Sequence, residues 1–95
     1  MLAIARAVVT RPKLILLDEP TEGLMPALVE EIEYIIRWMT DELKVTILLV
    51  EQDYRLALRA SSVCYIMEKG RIRHSGPSKE LLDDSEKQRS LLGIG

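Results

Sequence analysis

Two adjacent carboxylates, Asp18 and Glu19, come directly after the apolar run Leu14–Leu17. Four large aliphatic residues without polar alternation are typical of a strand covered on both faces, as in a parallel sheet flanked by helices. Ligands of such sheets bind at the carboxyl ends of the strands. At that edge one carboxylate can help to hold Mg²⁺ while the other polarises an attacking water molecule. The pattern therefore predicts a site for hydrolysis at a phosphate group.

Two other interpretations of the Asp18–Glu19 pair were weighed against this one. An Asp-Glu pair can simply be two solvated acids after a strand, but the apolar run before it and Pro20-Thr21 after it favour a functional site. A helicase-type motif would need an acidic residue or a histidine two places after Glu19. Thr21 occupies that position, which excludes the helicase interpretation.

The elements around this pair form a βαβ unit in the sequence pattern. Leu2–Thr10 is predicted to be a helix ending before Pro12, and Lys13–Leu17 is predicted to be the first strand. Pro26 is suited to the first turn of a helix, and Val45–Val50 is a second apolar strand. The apolar stripe that should cover the sheet consists of Leu28, Ile32, Ile35, Ile36 and Met39. A helix between two such strands predicts a parallel crossover.

The remaining sequence predicts a hairpin with short helices. Tyr54–Ala60 is predicted to be a helix and Val63–Met67 a third strand, followed by a tight turn at residues 68–70. The expected partner strand is Arg71–His74, and the expected helices span residues 76–82 and Ser85–Leu92.

Composition sets limits on the function. The chain has 95 residues, 47% of them hydrophobic and 29% charged, which is typical of one small globular domain. A net charge of −2 without a basic cluster argues against nucleic acid as a partner. The single cysteine, Cys64, lies in an apolar run, so we expect a small core residue and a reducing compartment. The apolar runs are far shorter than the roughly 20 residues that span a bilayer, so membrane association is expected to require a partner.

Several segments together resemble the ATP-binding-cassette (ABC) transporter ATPases. Leu14–Thr21 resembles the Walker B segment of that family, and Met1–Val8 is similar to the helix that follows its LSGGQ signature. Val45–Asp53 resembles the strand and switch region, which normally ends in a histidine. The sequences of Thr21–Pro26 and Val50–Gln52 are most similar to those of the branched-chain amino acid and urea importer subgroup.

Two motifs of the resembled family are missing from the sequence. No G-x-x-x-x-G-K-[ST] loop is present to cradle phosphates with backbone amides, and the LSGGQ signature is also missing. In the family both precede the position that matches Met1. We therefore expect residues 1–95 to be the carboxyl-terminal fragment of a single nucleotide-binding domain. The resemblance implies an α/β fold, a partial P-loop NTPase-type parallel sheet of βαβ units with a C-terminal hairpin and short helices.

The resemblance assigns roles to individual residues. It makes Glu19 the general base, and Asp18 a ligand of Mg²⁺ through a coordinated water molecule. Gln52 stands where most of the family carry a histidine that contacts the γ-phosphate of ATP. A glutamine amide can still donate a hydrogen bond, although an ordinary glutamine at the end of a strand remains the alternative.

The loop Gly23, Leu24 and Met25 matches the segment that lies against the second ATPase subunit in the resembled family. Met25 replaces the aspartate of other subgroups, so coupling between the subunits would depend on backbone contacts. The alternative is a plain loop leading into a helix. His74 is interpreted as a solvated strand residue, because no second metal ligand is spaced near it.

The resemblance implies an ATP-hydrolysing subunit of an importer, with ATP and Mg²⁺ as cofactors and branched-chain amino acids or a related small polar solute as cargo. The expected partners are a second ATPase subunit and transmembrane permease subunits, on the cytoplasmic face of the cell membrane. The fragment alone is expected to be inactive. Family topology places the missing P-loop strand between Val45–Val50 and Val63–Met67, so the isolated chain is expected to self-associate through unpaired edges. The alternatives are a non-catalytic interaction module and a truncated gene product.

Overall fold

The computed structural model describes residues 12–93, and the chain divides into two compact units that meet in sequence between Asp53 and Tyr54. The helix predicted over Leu2–Thr10 lies outside the described residues. Within them, no helix is both long enough and apolar enough to cross a membrane.

The first unit is a βαβ arrangement, as the sequence predicts. It consists of strand β1 (Leu14–Asp18), helix α1 (Pro26–Asp41) and strand β2 (Thr46–Val50). The strands pair in parallel, with a register that runs from Leu14 opposite Thr46 to Asp18 opposite Val50. The parallel α/β fold class is thereby confirmed.

Helix α1 begins at Pro26 as predicted. The proline ring fixes φ at a helical value, and proline has no backbone N–H that would be left without a partner in the first turn. Ile32, Ile36 and Met39 are at most 3% exposed, and they provide the buried face of the helix. Leu28 is 36% exposed and Ile35 is half-buried, so the buried stripe is narrower than the predicted one.

Strand β1 is covered on one face only, and the expectation of two covered faces is wrong. Successive side chains of a strand point to opposite faces. Ile15 and Leu17 are buried, whereas Leu14 and Leu16 are 59% and 64% exposed. On β2, the register places Leu48 beside Leu16, and Leu48 is 54% exposed. One face of the two-stranded sheet is thus apolar and open.

The second unit contains the predicted hairpin. Strands β3 (Val63–Glu68) and β4 (Arg71–Pro77) pair antiparallel, with a register shift between Ile66 and Met67. The two turn residues, Lys69 and Gly70, have φ values of 51° and 78°, the left-handed pair that a tight two-residue hairpin requires. Strand β4 extends three residues beyond the prediction, because the register continues to Val63 opposite Pro77. Within residues 12–93 the strands form two separate two-stranded sheets.

Three short helices complete this unit: α2 (Tyr54–Ala60), α3 (Ser78–Leu82) and α4 (Ser85–Leu92). Leu56, Leu58 and Leu81 are buried. Ser78 is fully buried, and its Oγ lies 2.6 Å from Ser61 Oγ, so the hydroxyl is satisfied. Cys64 is only half-buried, and the expectation of a core cysteine is wrong because its strand is incompletely covered.

Candidate active site at the carboxyl ends of β1 and β2

The predicted acid pair lies at the carboxyl end of β1. Asp18 is the last residue of the strand, is exposed, and pairs in register with Val50. Glu19 follows, is half-buried, and donates its backbone N–H to Val50 O over 2.7 Å. The ladder thus continues one residue beyond the strand and holds Glu19 against the end of β2.

Glu19 has a backbone conformation that is unfavourable for a residue with a side chain. Its φ is +48°, in the left-handed region. For a non-glycine residue this conformation costs roughly 1–2 kcal/mol, because Cβ comes close to the carbonyl oxygen. Such strain is often found at functional sites, and here it coincides with the residue for which the resemblance implies the role of general base.

The loop after Glu19 is a tight turn held by backbone hydrogen bonds. Glu22 N–H donates to Glu19 O over 3.2 Å, and Leu24 N–H donates to Thr21 O over 3.1 Å. Gly23 has a φ of +75°. Leu24 and Met25 are 38% and 66% exposed. The three residues predicted to face a second subunit therefore form an open surface of this unit.

Gln52 lies at the same edge of the sheet. It is exposed and stands two residues after Val50, the register partner of Asp18. The structure therefore brings Asp18, Glu19 and Gln52 to the carboxyl ends of two adjacent parallel strands. That edge is where ligands of such sheets bind.

Negative charge is concentrated around Glu19. The pKa of the Glu19 carboxyl is raised above its ordinary value, and the largest cause is the charge of Glu22. Partial desolvation and a hydrogen bond with Glu22 raise this pKa further. Asp18 and Glu51 raise this pKa further through their charges. A raised pKa moves a carboxyl towards the range in which it can accept a proton during a reaction near neutral pH.

Thr21, Glu22 and Glu51 are the residues of this edge that the sequence analysis did not single out. Glu51 could have been recognised by the same pattern as Asp18, because it is an acidic residue that directly follows an apolar run. Glu22 is three residues from Glu19, and the turn that brings it close is visible only in the structure. Thr21 is 6% exposed and donates its hydroxyl to Glu51 Oε2 over 2.8 Å, a contact that depends on the register of the strands.

The donor set at this edge fits a Mg²⁺ ion that is shared with a phosphate ligand. In residues 12–93 no three His, Cys, Asp or Glu side chains lie close enough to hold a metal ion by themselves. Mg²⁺ usually binds through one or two carboxylates, with phosphate oxygens and water in the other positions. Asp18 is an exposed carboxylate that could serve as such a ligand. His74, the residue interpreted from the sequence as a solvated strand residue, lies in β4 and is half-buried.

The chain is similar in sequence to curated transport proteins. It is 40% identical over 94 residues to a probable branched-chain amino acid transport ATP-binding protein, LivF, from Archaeoglobus fulgidus, covering 99% of this chain and 40% of the relative. It is 41% identical over 93 residues to the high-affinity branched-chain amino acid transport ATP-binding protein BraG of Pseudomonas aeruginosa, covering 98% and 40%. No protein-family model matches the chain.

Solved structures agree with these similarities. The structure of cbiO1 from Clostridium perfringens, part of the ABC transporter complex cbiONQ, matches with a TM-score of 0.79 at 35% identity, covering 93% of this chain and 35% of cbiO1. The ADP conformation of MJ1267, an ATP-binding cassette of an ABC transporter, matches with a TM-score of 0.74 at 28% identity, covering 96% and 37%. The chain thus spans about 40% of the length of the curated relatives. It is homologous to ABC transporter ATP-binding proteins, chiefly those of branched-chain amino acid transport, and it has the fold of part of their ATPase domains.

Proposed function

We propose that this chain is the hydrolytic part of an ATP-hydrolysing subunit of an ABC importer, and that the cargo is a branched-chain amino acid or a related small polar solute. One observation carries the proposal. Asp18 ends β1 and Glu19 follows it, Gln52 lies two residues after the end of the neighbouring parallel strand, and surrounding carboxylates raise the pKa of Glu19. The names of the relatives support the cargo class.

Each of the three residues has a separate task. Asp18 would hold Mg²⁺ through a coordinated water molecule, and the ion would neutralise charge on the phosphates of ATP. Glu19 accepts a proton from the water that attacks the γ-phosphate while the bond to the leaving ADP breaks, and its raised pKa suits a general base. Gln52 donates an amide hydrogen bond to the γ-phosphate, a contact that does not depend on protonation.

The proposed assembly contains two ATPase subunits and membrane-embedded permease subunits. Gly23, Leu24 and Met25 face the second ATPase subunit, and the exposure of Leu24 and Met25 supports this assignment. The subunit works in the cytoplasm, on the inner face of the cell membrane, and binds the membrane through the permease. Residues 1–95 correspond to the carboxyl-terminal fragment of one nucleotide-binding domain.

The sequence contains no P-loop motif, so the 95-residue chain by itself is expected to bind Mg-ATP no better than millimolar and to show no turnover. The phosphate cradle would come from residues outside this sequence. An interaction module or a truncated gene product would also be inactive. The length of the native polypeptide distinguishes these two alternatives from an intact ATPase subunit.

The test begins with the intact mass of the polypeptide that carries this sequence in its own cells. A mass more than twice the 10.8 kDa of this chain leaves room for the missing motifs, and ATP hydrolysis is then measured on that polypeptide. Glu19→Gln should lower kcat about 100-fold or more, since general-base catalysis contributes about 10²–10⁴-fold. Glu42→Gln, at an exposed position after α1, is the matched control and should leave kcat unchanged.

Two results would contradict the proposal. A native mass near 10.8 kDa would favour the interaction module or the truncated product. Equal turnover in the Glu19→Gln and Glu42→Gln proteins would exclude Glu19 as the base.

The isolated chain is also expected to self-associate. Leu14, Leu16 and Leu48 form an open apolar face on the β1–β2 sheet, and exposed apolar faces promote association. Light scattering at micromolar concentration should detect dimers or larger species. A monodisperse monomer would contradict this expectation.

A further inference from the structure

A hydrogen bond between two side chains joins the loop after β1 to the end of β2. Thr21 Oγ1 donates to Glu51 Oε2 over 2.8 Å, although the two residues are 30 positions apart in the chain. Thr21 is 6% exposed and Glu51 is half-buried. Hydrogen bonds to an ionised acceptor are stronger than those between neutral groups, so this contact is a firm link within the unit.

The link lies just beyond the last backbone hydrogen bond between the two strands. That backbone bond runs from Glu19 N–H to Val50 O over 2.7 Å. Thr21 is two residues after Glu19, and Glu51 lies directly between Val50 and Gln52. The hydrogen bond therefore connects the loop that begins at Glu19 with the residue that precedes Gln52.

We propose that Thr21 and Glu51 form a positioning pair, which holds the backbone at Gln52 at a fixed separation from the loop that carries Glu19. The inference rests on the proposed hydrolytic function, because it concerns the two residues assigned to the attacking water and the γ-phosphate. A misplacement of about 1 Å can cost a reaction about 10²-fold in rate. A link between these two segments therefore affects turnover without touching the substrate.

A purely structural role for Thr21 is the competing explanation. A buried hydroxyl must be hydrogen-bonded, and Glu51 would then serve only to satisfy it. Glu51 directly follows Val50, whose carbonyl accepts the Glu19 backbone N–H over 2.7 Å, and it directly precedes Gln52. The pair therefore adjoins both segments that carry the proposed site residues.

Three substitutions separate the two explanations. Thr21→Val keeps the shape of the side chain and removes the hydroxyl, whereas Thr21→Ser keeps the hydroxyl. Thr40→Val is the matched control, because Thr40 Oγ1 donates to Arg37 O over 3.0 Å within α1, away from the sheet edge. The proteins are compared as the native polypeptide, by kcat and KM for ATP and by the temperature of unfolding.

A positioning role predicts that Thr21→Val lowers kcat about 10-fold to 100-fold and changes KM for ATP less than about twofold. Thr21→Ser should restore most of the kcat, and Thr40→Val should match the wild type. An unchanged kcat in Thr21→Val would overturn the positioning role and leave the proposed function intact. A Thr21→Ser protein as slow as Thr21→Val would also overturn it, because the hydroxyl would not be the decisive group.

A second readout does not depend on hydrolysis. Thr21→Val should accelerate hydrogen exchange of the Glu19 backbone amide, which donates to Val50 O over 2.7 Å beside the link, about tenfold or more, while amides in the middle of α1 keep their wild-type rates. Unchanged exchange at Glu19 would overturn the link. A wild-type polypeptide that does not hydrolyse ATP would instead overturn the proposed function, and the exchange data would still decide whether the pair holds the two segments together.

Discussion

Replacing Gly23 by alanine tests the loop that is proposed to face a second subunit. Gly23 has a φ of +75°, and a Cβ added there would meet no atom of residues 12–93 within 4 Å. The cost in the isolated chain is therefore conformational, about 1–2 kcal/mol for a left-handed residue with a side chain. In a domain of this size 1 kcal/mol corresponds to roughly 4–8 °C in Tm, so Gly23→Ala should lower Tm by several degrees.

The hairpin and strand β4 offer two matched controls. Gly70 has a φ of +78° and equally open surroundings, so Gly70→Ala should cost the same as Gly23→Ala. Gly76 lies outside the left-handed region, and its added Cβ would meet His74 Nε2 at an ordinary 3.7 Å. Gly76→Ala should therefore be neutral or stabilise the fold by about 0.4–1 kcal/mol, because alanine restricts the unfolded chain. Urea unfolding of the three variants measures these differences.

The same pair of variants then tests the subunit interface. Neither added methyl group has a neighbour among residues 12–93. In the native polypeptide, the proposed interface predicts that the methyl group contacts the second subunit at Gly23 but not at Gly70. Gly23→Ala should therefore weaken ATP-dependent dimerisation by more than Gly70→Ala does, at equal loss of stability. Equal dimerisation of the two variants would refute the interface assignment, and a Gly23→Ala protein of wild-type stability would refute the conformational argument.

Two further predictions concern charge and packing. Because the pKa of Glu19 is raised in the folded state, the ionised form is disfavoured there, so the free energy of unfolding should fall as pH rises from the ordinary carboxyl pKa through the raised one. Glu19→Gln should remove this fall, and parallel urea midpoints of the two proteins across that pH range would contradict the assignment. Ile36 is 1% exposed, so Ile36→Ala should cost about 2–5 kcal/mol, measured by urea unfolding. Tyr34, on the same helix, is 71% exposed, so Tyr34→Ala should change stability by less than about 0.5 kcal/mol; equal losses would show that α1 does not bury its Ile36 face.

The order of the elements could be predicted from the sequence because strong local signals separate them. Pro26 starts α1, Gly70 closes the hairpin turn, and apolar runs define both parallel strands. Helices α2 and α4 have the predicted bounds, and β1 and β2 differ from prediction by about one residue. These signals act within a few residues, so they need no knowledge of tertiary contacts.

Burial was predicted less well, and for a physical reason. The run Leu14–Leu17 shows that both faces of β1 are apolar, but it does not show what covers each face. Ile15 and Leu17 are buried, while Leu14 and Leu16 remain open. The same limit applies to Thr21 and Glu51, whose contact depends on the register between strands that are separated by a helix.

Three non-glycine residues among residues 12–93 have positive φ values, and their surroundings differ in an informative way. Lys69 lies in the hairpin turn, and Lys44 lies in the connection between α1 and β2, places where a left-handed residue simply reverses the chain. Glu19 instead lies at the end of a parallel strand, still bonded to Val50, and its pKa is raised by neighbouring carboxylates. A glycine would adopt this backbone without strain, and a neutral residue would avoid the repulsion. Both unfavourable effects fall on one side chain, so stability does not explain the glutamate. The proposed role of Glu19 as a general base would explain it, because strain and a raised pKa on one carboxylate are what that role predicts.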